Sequence, residues 1–155
     1  MVTDLFGALL QELGNAMGVA GLHPDSNNSC MLKLKSGLII QLELDRRGEF
    51  LILGADLGNV PPGKYRENLF REALKANDLP YPLHGILCYS RKSGHLVIFQ
   101  KIHTRDLNGE KLAAEIAPFA EKAFTWSEAL LRGDLPVVNQ TFTSQKPGGM
   151  FGLIR

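Results

Sequence analysis

Apolar residues near the start of the chain recur at intervals of three and four positions. Polar residues such as Asp4, Gln11 and Glu12 fall between them, on what would be the opposite side of a helix. A stripe with this period is typical of an amphipathic helix that buries one face. The pattern predicts a first helix from Thr3 to Met17, with apolar positions at Leu5, Phe6, Leu9, Leu10, Leu13 and Met17.

From Cys30 onward the period of the apolar residues changes to two. Three runs over residues 30–35, 38–44 and 50–53 are separated by short turn sequences rich in Gly, Ser and Asp. Alternation broken by turn residues predicts an antiparallel meander of three strands. The third run is apolar on both faces, which fits a strand covered on both sides or a strand that reserves one face for a partner.

The second half of the chain predicts a helix, a hairpin and a long helix. Apolar residues at helical spacing cover residues 64–77 and 109–132, and Gly133 is placed to end the last helix. Between them, apolar runs over 86–89 and 96–99 flank a turn sequence, which indicates two hairpin strands. The order helix-strand-strand-strand-helix-strand-strand-helix predicts the α/β class, of the α+β kind, with an antiparallel twisted sheet packed against helices.

A change of composition separates one domain from a tail. A chain of 155 residues is long enough to bury a single core without metal or disulfide support. Residues 134–155 are rich in Pro, Gly, Thr and Gln and show no period. We therefore expect one domain over 1–133, followed by a flexible C-terminal tail over 134–155.

Charge and cysteine content exclude several classes of protein. The 17 Lys and Arg against 16 Asp and Glu leave a formal charge of +1, too balanced for charge-driven nucleic-acid binding. No stretch reaches the roughly 18 consecutive apolar residues that span a bilayer. Cys30 and Cys88 are too few for a disulfide framework, and the first four residues include an acidic residue and no basic one. We expect a protein of a reducing cytoplasm, with neither nucleic acid nor membrane as partner.

One segment has the spacing of a phosphate-binding loop. Residues 58–64 read Gly-Asn-Val-Pro-Pro-Gly-Lys between a predicted strand and a predicted helix. Such a loop binds phosphate through successive backbone N–H groups, which Pro61 and Pro62 lack. Tyr65 also stands where a Ser or Thr hydroxyl would bind magnesium. We interpret the segment as a rigid connection ahead of a helix.

The histidines near Cys88 do not form a convincing thiol site. His84 would lie about 13 Å from Cys88 on one extended strand. His95 would approach it only diagonally across the hairpin, at about 7–8 Å. A nucleophilic thiol needs a base within hydrogen-bonding distance, and no His or Cys residues occur at paired metal-ligand spacing. The sequence predicts neither an enzyme nor a metal site nor a cofactor.

The predicted sheet carries more apolar residues than one small domain covers easily. If Leu32, Leu34, Ile40 and Leu42 face the helices, Met31 and Ile39 face away from them. One of two pairs, Phe50/Ile52 or Leu51/Leu53, shares that second face. An apolar patch on such a face usually marks an interface with another chain. The alternative is that the first helix or the tail folds over it.

The order of elements, together with several spaced residues, resembles a known family. Residues 69–77 form a leucine-rich helical segment that ends in Asn77. The hairpin over 85–102 follows, and Trp126 lies on the apolar stripe of the last helix. In these features the chain resembles the effector chaperones of bacterial type III secretion, the Tir chaperone family, over most of residues 3–133.

The resemblance implies a cofactor-free homodimer in the bacterial cytoplasm that binds the N-terminal segment of a secreted effector in extended form. Such a chaperone keeps the effector soluble and secretion-competent, without chemistry, and could also meet the secretion-apparatus ATPase. It implies effector-binding residues at Leu5, Leu9, Met31, Ile39, Leu51 and Leu53. It implies a dimer interface at Leu69, Phe70, Leu74, Ile86 and Cys88. An open strand edge could add a strand of the partner.

The chain departs from the family in charge, and two other functions stay open. Family members are usually acidic, whereas this chain has a pI near 7.8. A non-chaperone interaction adaptor with the same scaffold would bind a folded domain rather than a flexible segment. A small thiol- or nucleotide-dependent enzyme would use Cys88 or Lys64.

Overall fold

A computed structural model describes residues 2–138, with side chains from residue 5 onward. Three helices and five strands follow the predicted order, and the predicted spans of the second and third helices are confirmed. The first helix ends before Gly18, whose φ of 69° suits glycine. The elements are α1 (Val2–Met17), β1 (Ser29–Lys33), β2 (Ile39–Leu44), β3 (Phe50–Asn59), α2 (Lys64–Asn77), β4 (Ile86–Ser90), β5 (His95–His103) and α3 (Gly109–Arg132).

The strands form one antiparallel sheet in the order β1-β2-β3-β5-β4. The predicted meander is confirmed, and the second hairpin joins it through β5. β3 continues six residues beyond the predicted end at Leu53, because β5 pairs with it along its whole length. The register shifts between Asp56 and Gly58, where a bulge accommodates one extra residue.

The core lies between one face of the sheet, here called the inner face, and the helices. α3 packs against β3, and α1 packs against α3. The opposite face of the sheet is called the outer face. The buried side chains of the inner face include Leu32, Ile40, Leu42, Leu51, Leu53, Leu96 and Ile98.

Three side chains predicted to form binding surfaces are buried in this core. Leu51 and Leu53 are fully buried, because they pair with the buried Leu44 and Leu42 of β2 on the inner face. Of the two pairs that the sequence left open for the outer face, alternation along β3 turns Phe50 and Ile52 outward. The effector-binding role predicted for the buried Leu51 and Leu53 is therefore wrong. Leu69 is also fully buried, on the side of α2 that faces the core, so its predicted place in a dimer contact is wrong as well.

α1 and the start of α3 approach each other closely. The carboxylate of Glu12 accepts a hydrogen bond of 2.9 Å from the backbone N–H of Gly109. A Cβ atom at Gly109 would lie 2.3 Å from the backbone carbon of Glu12. Glycine is therefore required at this contact for its small size, and the carboxylate satisfies a free N–H at the start of α3.

The chain turns back after α3. Gly133 adopts the left-handed conformation expected of a helix end. The carbonyl of Asp134 accepts a hydrogen bond of 2.9 Å from the hydroxyl of Tyr65, and Val138 packs against the core. The rest of the predicted tail, residues 139–155, lies outside the described residues. No helix within residues 2–138 is long and apolar enough to cross a membrane.

Candidate protein-binding surface

A row of facing residues crosses the outer face of the sheet. Strand register brings Met31, Gln41, Gly54, Phe99 and Ile86 side by side, one from each strand. Met31 is 61% exposed and Phe99 is 40% exposed, which is unusual for large apolar side chains in a small domain. Gly54 carries no side chain, so the row has a gap at its centre.

This gap opens into a groove of about 710 Å³. One wall is the turn between β1 and β2, the floor is the middle of β3, and the other wall is α3. The sheet is open here, because β2 pairs with β3 only as far as Gly54, so the groove extends from the outer face to α3. The hydroxyl of Ser127 on α3 donates a hydrogen bond of 3.1 Å to the carbonyl of Leu57. The exposed apolar side chains that line the groove are Met31, Ile39, Phe99 and Phe124.

The charged side chains that line the groove are both acidic. They are Asp56 of β3 and Glu128 of α3. Asp56 contacts Nδ1 of His95 at 2.8 Å, and Glu128 lies 3.8 Å from a guanidinium nitrogen of Arg132. Among the described residues that form the lining, none is Lys or Arg. The groove is therefore apolar with a negative margin.

β1 forms an open edge of the sheet beside this groove. The N–H of Leu34 donates a hydrogen bond to the carbonyl of Leu38. Because hydrogen-bonded pairs alternate along an antiparallel ladder, the backbone of Leu32 also bonds to β2, whereas the backbones of Met31 and Lys33 do not. The backbone N–H groups of Met31 and Lys33 consequently point away from the sheet. Within residues 2–138 they have no hydrogen-bond partner, and they are free to bind an extended segment.

The opposite edge, at β4, is capped at Leu87, and the segment just before the strand is held by Lys122. The carboxamide of Asn77 bonds to both the N–H and the carbonyl of Leu87. The ammonium of Lys122 donates to the carbonyls of Leu83 and Gly85, at 2.9 Å and 2.8 Å. Burial lowers the pKa of Lys122, and these two carbonyls compensate part of the cost of burying its charge.

The predicted dimer residues lie on two different faces. Phe70 of α2 packs against the ring of Tyr89, with 5.0 Å between ring centroids. Leu74 is 69% exposed on the same helix. Ile86 and Cys88 instead belong to the outer face of β4, and Cys88 pairs with Val97.

The two predicted residues of α1 lie apart from the groove. Leu5 is exposed, whereas Leu9 is half-buried and packs against the core. Neither lines the groove, while the predicted Met31 and Ile39 do. Gly54, Phe99 and Phe124 were not predicted from the sequence to belong to a binding surface. A glycine within an apolar strand was the available signal for the first, because such a position suggests close approach of another backbone.

The residues considered for an enzyme site, which are the 58–64 segment, Cys88 and His95, do not form one in the structure. Gly58 belongs to β3, and the ammonium of Lys64 lies 3.3 Å from Glu67 on the first turn of α2. Burial raises the pKa of the Cys88 thiol, which opposes formation of a nucleophilic thiolate. Nδ1 of His95 is held by Asp56. Among the described residues, no group of three or more His, Cys, Asp or Glu could hold a metal ion.

Solved structures with the same fold are type III secretion chaperones and related complexes. The chaperone SycH of Yersinia pestis, in complex with a stable fragment of YscM2, has a TM-score of 0.61 at 15% identity, covering 78% of this chain and 98% of its own. The HopA1-SchA chaperone-effector complex has 0.66 at 23% identity, covering 83% and 98%. The ExoT-SpcS complex from Pseudomonas aeruginosa has 0.58 at 15% identity, covering 77% and 95%. At these identities the likeness establishes a shared fold.

Sequence comparison places the chain in a family. A search among curated proteins gives no match to it. The family model described as the Tir chaperone protein (CesT) family matches residues 8–127, which runs from α1 to the second half of α3. The chain therefore belongs to the Tir chaperone protein (CesT) family.

Proposed function

We propose that this protein is a type III secretion chaperone that binds the N-terminal segment of a secreted effector in the outer-face groove. The main observation in support of the proposal is the groove, which exposes four large apolar side chains around a gap in the sheet. Such a site can bind the apolar side chains of a partner without any chemical reaction. Binding keeps the segment soluble and competent for secretion, and it requires no cofactor.

The open edge of β1 supports an extended conformation of the bound segment. Met31 contributes a side chain to the groove and a free backbone N–H to the edge. A segment that pairs with β1 would place alternate side chains toward the outer face. Backbone hydrogen bonds would then supply affinity for many sequences, while the groove would select segments with apolar anchors.

Dimer formation belongs to the same proposal. Leu74 is exposed on α2, and Phe70 lies one turn away on the same helix. A second copy that packed against this helix would remove their apolar surface from water. We therefore place the homodimer contact on α2 and the adjoining β4, at Phe70, Leu74, Ile86 and Cys88. We also propose that the complex forms in the bacterial cytoplasm and meets the secretion-apparatus ATPase there.

Co-purification from the native host tests the proposal. The full-length tagged protein is expected to capture one or more larger proteins through their N-terminal segments. Replacing Ile39 and Phe99 together by Asp should abolish capture, because two charges would enter the apolar groove. Leu131→Asp is the matched control, because Leu131 is 82% exposed and does not line the groove.

The pattern across the variants decides the outcome. Loss of capture in the groove variant, with capture retained by Leu131→Asp and an unchanged circular dichroism spectrum, supports the proposal. Equal capture by all three proteins would contradict it. Capture of a partner through a folded domain would instead favour an interaction adaptor.

A further inference from the structure

We propose that a second extended part of the partner chain pairs with an open stretch of β5 and carries an acidic residue there. The stretch comprises residues 101–103 and is here called the β5 edge. The inference rests on the proposed function in taking the same secreted partner. It adds a second set of backbone hydrogen bonds and the charge of the partner residue that meets them.

β5 extends beyond the strand that flanks it. It runs from His95 to His103, whereas β4 begins at Ile86, which pairs with Phe99. Residues 100–103 of β5 therefore pair with β3 on one side and with no strand on the other. A strand edge of this kind can accept an extended segment of another chain.

The ladder with β3 shows which backbone groups of the β5 edge are unused. The N–H of Thr104 donates a hydrogen bond of 2.9 Å to the carbonyl of Glu49, so the even-numbered residues of this stretch bond toward β3. The backbone groups of Lys101 and His103 point the opposite way, because bonding alternates along the strand. Within residues 2–138, the N–H and carbonyl groups of these two residues have no hydrogen-bond partner.

The segment that leads into β4 does not cover the β5 edge. His84 would continue the ladder opposite Lys101, but its φ of 55° takes the chain out of the extended conformation. The ammonium of Lys122 on α3 also binds two carbonyls of this segment, at 2.9 Å and 2.8 Å. A notch of about 450 Å³ remains, lined by this segment, by the β5 edge and by Glu115 of α3.

The notch continues the outer-face groove. The side chain of Phe99 lines both of them, so an extended chain bound in the groove can continue into the notch. Ile86 also lines the notch, which therefore borders the proposed dimer contact, whereas Lys101 and His103 lie beyond the start of β4. The occupant that fits the notch is thus a further part of the same partner chain.

Charge indicates which residue of the partner lies there. Lys101 is exposed on the outer face, and its ammonium lies 3.9 Å from the centre of the Phe50 ring. A partner residue that pairs with Lys101 would place its side chain on the same face, beside this ammonium. Glu115 lies on the inner side of β5, where its carboxylate accepts a hydrogen bond of 2.8 Å from the carboxamide of Gln100. We therefore expect an Asp or Glu of the partner opposite Lys101, whereas the acidic margin of the groove favours cations.

Amide hydrogen exchange of the unmodified full-length protein, followed by NMR, tests the second site. The probe is the N-terminal segment of a partner identified by co-purification, produced as a separate fragment. In the free protein the amides of Lys101 and His103 should exchange quickly, while those of Gln100 and Ile102 are protected by β3. The fragment should slow exchange at Lys101 and His103 by about tenfold or more. Unchanged exchange at both amides in the complex would overturn the proposal, and so would protection of both in the free protein.

Two variants separate the backbone of Lys101 from its side chain. Lys101→Pro removes an N–H that the ladder with β3 does not use, and Lys101→Ala removes only the side chain beyond Cβ. We expect Lys101→Pro to bind the fragment about tenfold more weakly than Lys101→Ala, measured by isothermal titration calorimetry. Equal affinity of the two, with matching circular dichroism spectra, would overturn the backbone pairing. If Lys101→Pro does not fold, hydrogen exchange decides.

A third variant tests the acidic residue of the partner. Lys101→Glu should bind the fragment about two- to fivefold more weakly than Lys101→Ala, because two carboxylates would face each other across the added strand. Equal or tighter binding by Lys101→Glu would overturn the charge assignment.

Failure of the second site can be distinguished from failure of the proposed function. Ile39 lines the groove and not the notch, so Ile39→Asp reports on the groove alone. Loss of binding in Ile39→Asp, with unchanged exchange at Lys101 and His103 in the unmodified complex, would overturn only the second site. If the unmodified protein captured no partner, the proposed function would fail and the second site with it.

Discussion

The carboxamide of Asn77 donates a hydrogen bond of 2.8 Å to the carbonyl of Leu87 and accepts one of 2.9 Å from the N–H of the same residue. A single side chain at the end of α2 thus satisfies both backbone groups of Leu87 at the edge of β4, as a neighbouring strand would at that position. Unpaired strand edges tend to recruit other chains. At the other edge of the sheet, the outward N–H groups of Met31 and Lys33 on β1 have no hydrogen-bond partner within residues 2–138.

Replacing Asn77 by Ala should destabilise the protein by about 1–3 kcal/mol, because two backbone groups of Leu87 would lose their partners. Urea denaturation followed by circular dichroism measures the change. Asn68→Ala on the same helix is the control, with an expected change below about 0.5 kcal/mol. Equal stability of the two variants would show that the carboxamide does not hold the edge.

Gly54→Val should block partner binding without harming the fold. A Cβ atom at this position meets only the carbonyl oxygen of Ile98, at 4.0 Å, and valine suits a strand better than glycine does. The added side chain would fill the gap that forms the groove. We expect binding of a captured partner to weaken at least tenfold, or about 1.4 kcal/mol, by isothermal titration calorimetry.

The control for this variant is Glu43→Val, which adds the same side chain to an exposed position of β2 that does not line the groove. It should bind the partner with unchanged affinity. If Gly54→Val bound equally well, the partner would lie elsewhere on the surface.

Leu74→Asp should convert a dimer into monomers. A carboxylate introduced into an apolar contact would have to be buried without a partner, which is strongly unfavourable. Analytical ultracentrifugation at micromolar concentration measures the change. Leu131→Asp removes a leucine of α3 that is even more exposed than Leu74, and it should leave the dimer intact. A dimer that survives Leu74→Asp would place the contact away from this part of α2.

Gly109→Ala should destabilise the protein by more than 2 kcal/mol. The new methyl group would lie within 2.6 Å of three backbone and side-chain atoms of Glu12, and backbone cannot move aside cheaply. Gly7→Ala within α1 is the matched control, because its nearest neighbour would be Pro24 at 4.0 Å. There we expect a gain of about 0.5–1 kcal/mol from helix propensity. Thermal unfolding of both variants gives the comparison.

The helices and strands could be predicted from the sequence because the periodic segments are long and turn residues such as Gly mark their ends. The span of α2 and that of α3, with Gly133 at its end, could be predicted from local residues alone. Met31 and Ile39 were placed correctly on the exposed face, since β1 and β2 alternate strictly between apolar and polar residues.

The orientation of β3 and the position of Phe124 could not be predicted, because both depend on contacts with residues distant in the sequence. β3 is apolar at every position from Phe50 to Leu53, so its period does not indicate which side faces the core. Pairing of Leu53 with Leu42 decides this. Phe124 lines the groove only because of the position at which α3 crosses the sheet, and the local sequence does not indicate that position.

The two walls of the groove come from distant parts of the chain. The turn between β1 and β2 is made early in synthesis, whereas Phe124 and Glu128 follow almost ninety residues later. A nascent chain that stops before α3 carries Met31 and Ile39 but has no second wall with which to hold a partner. For a partner held in this groove, as proposed, the site is complete only once translation has passed α3, so chains that end earlier would lack one wall of it.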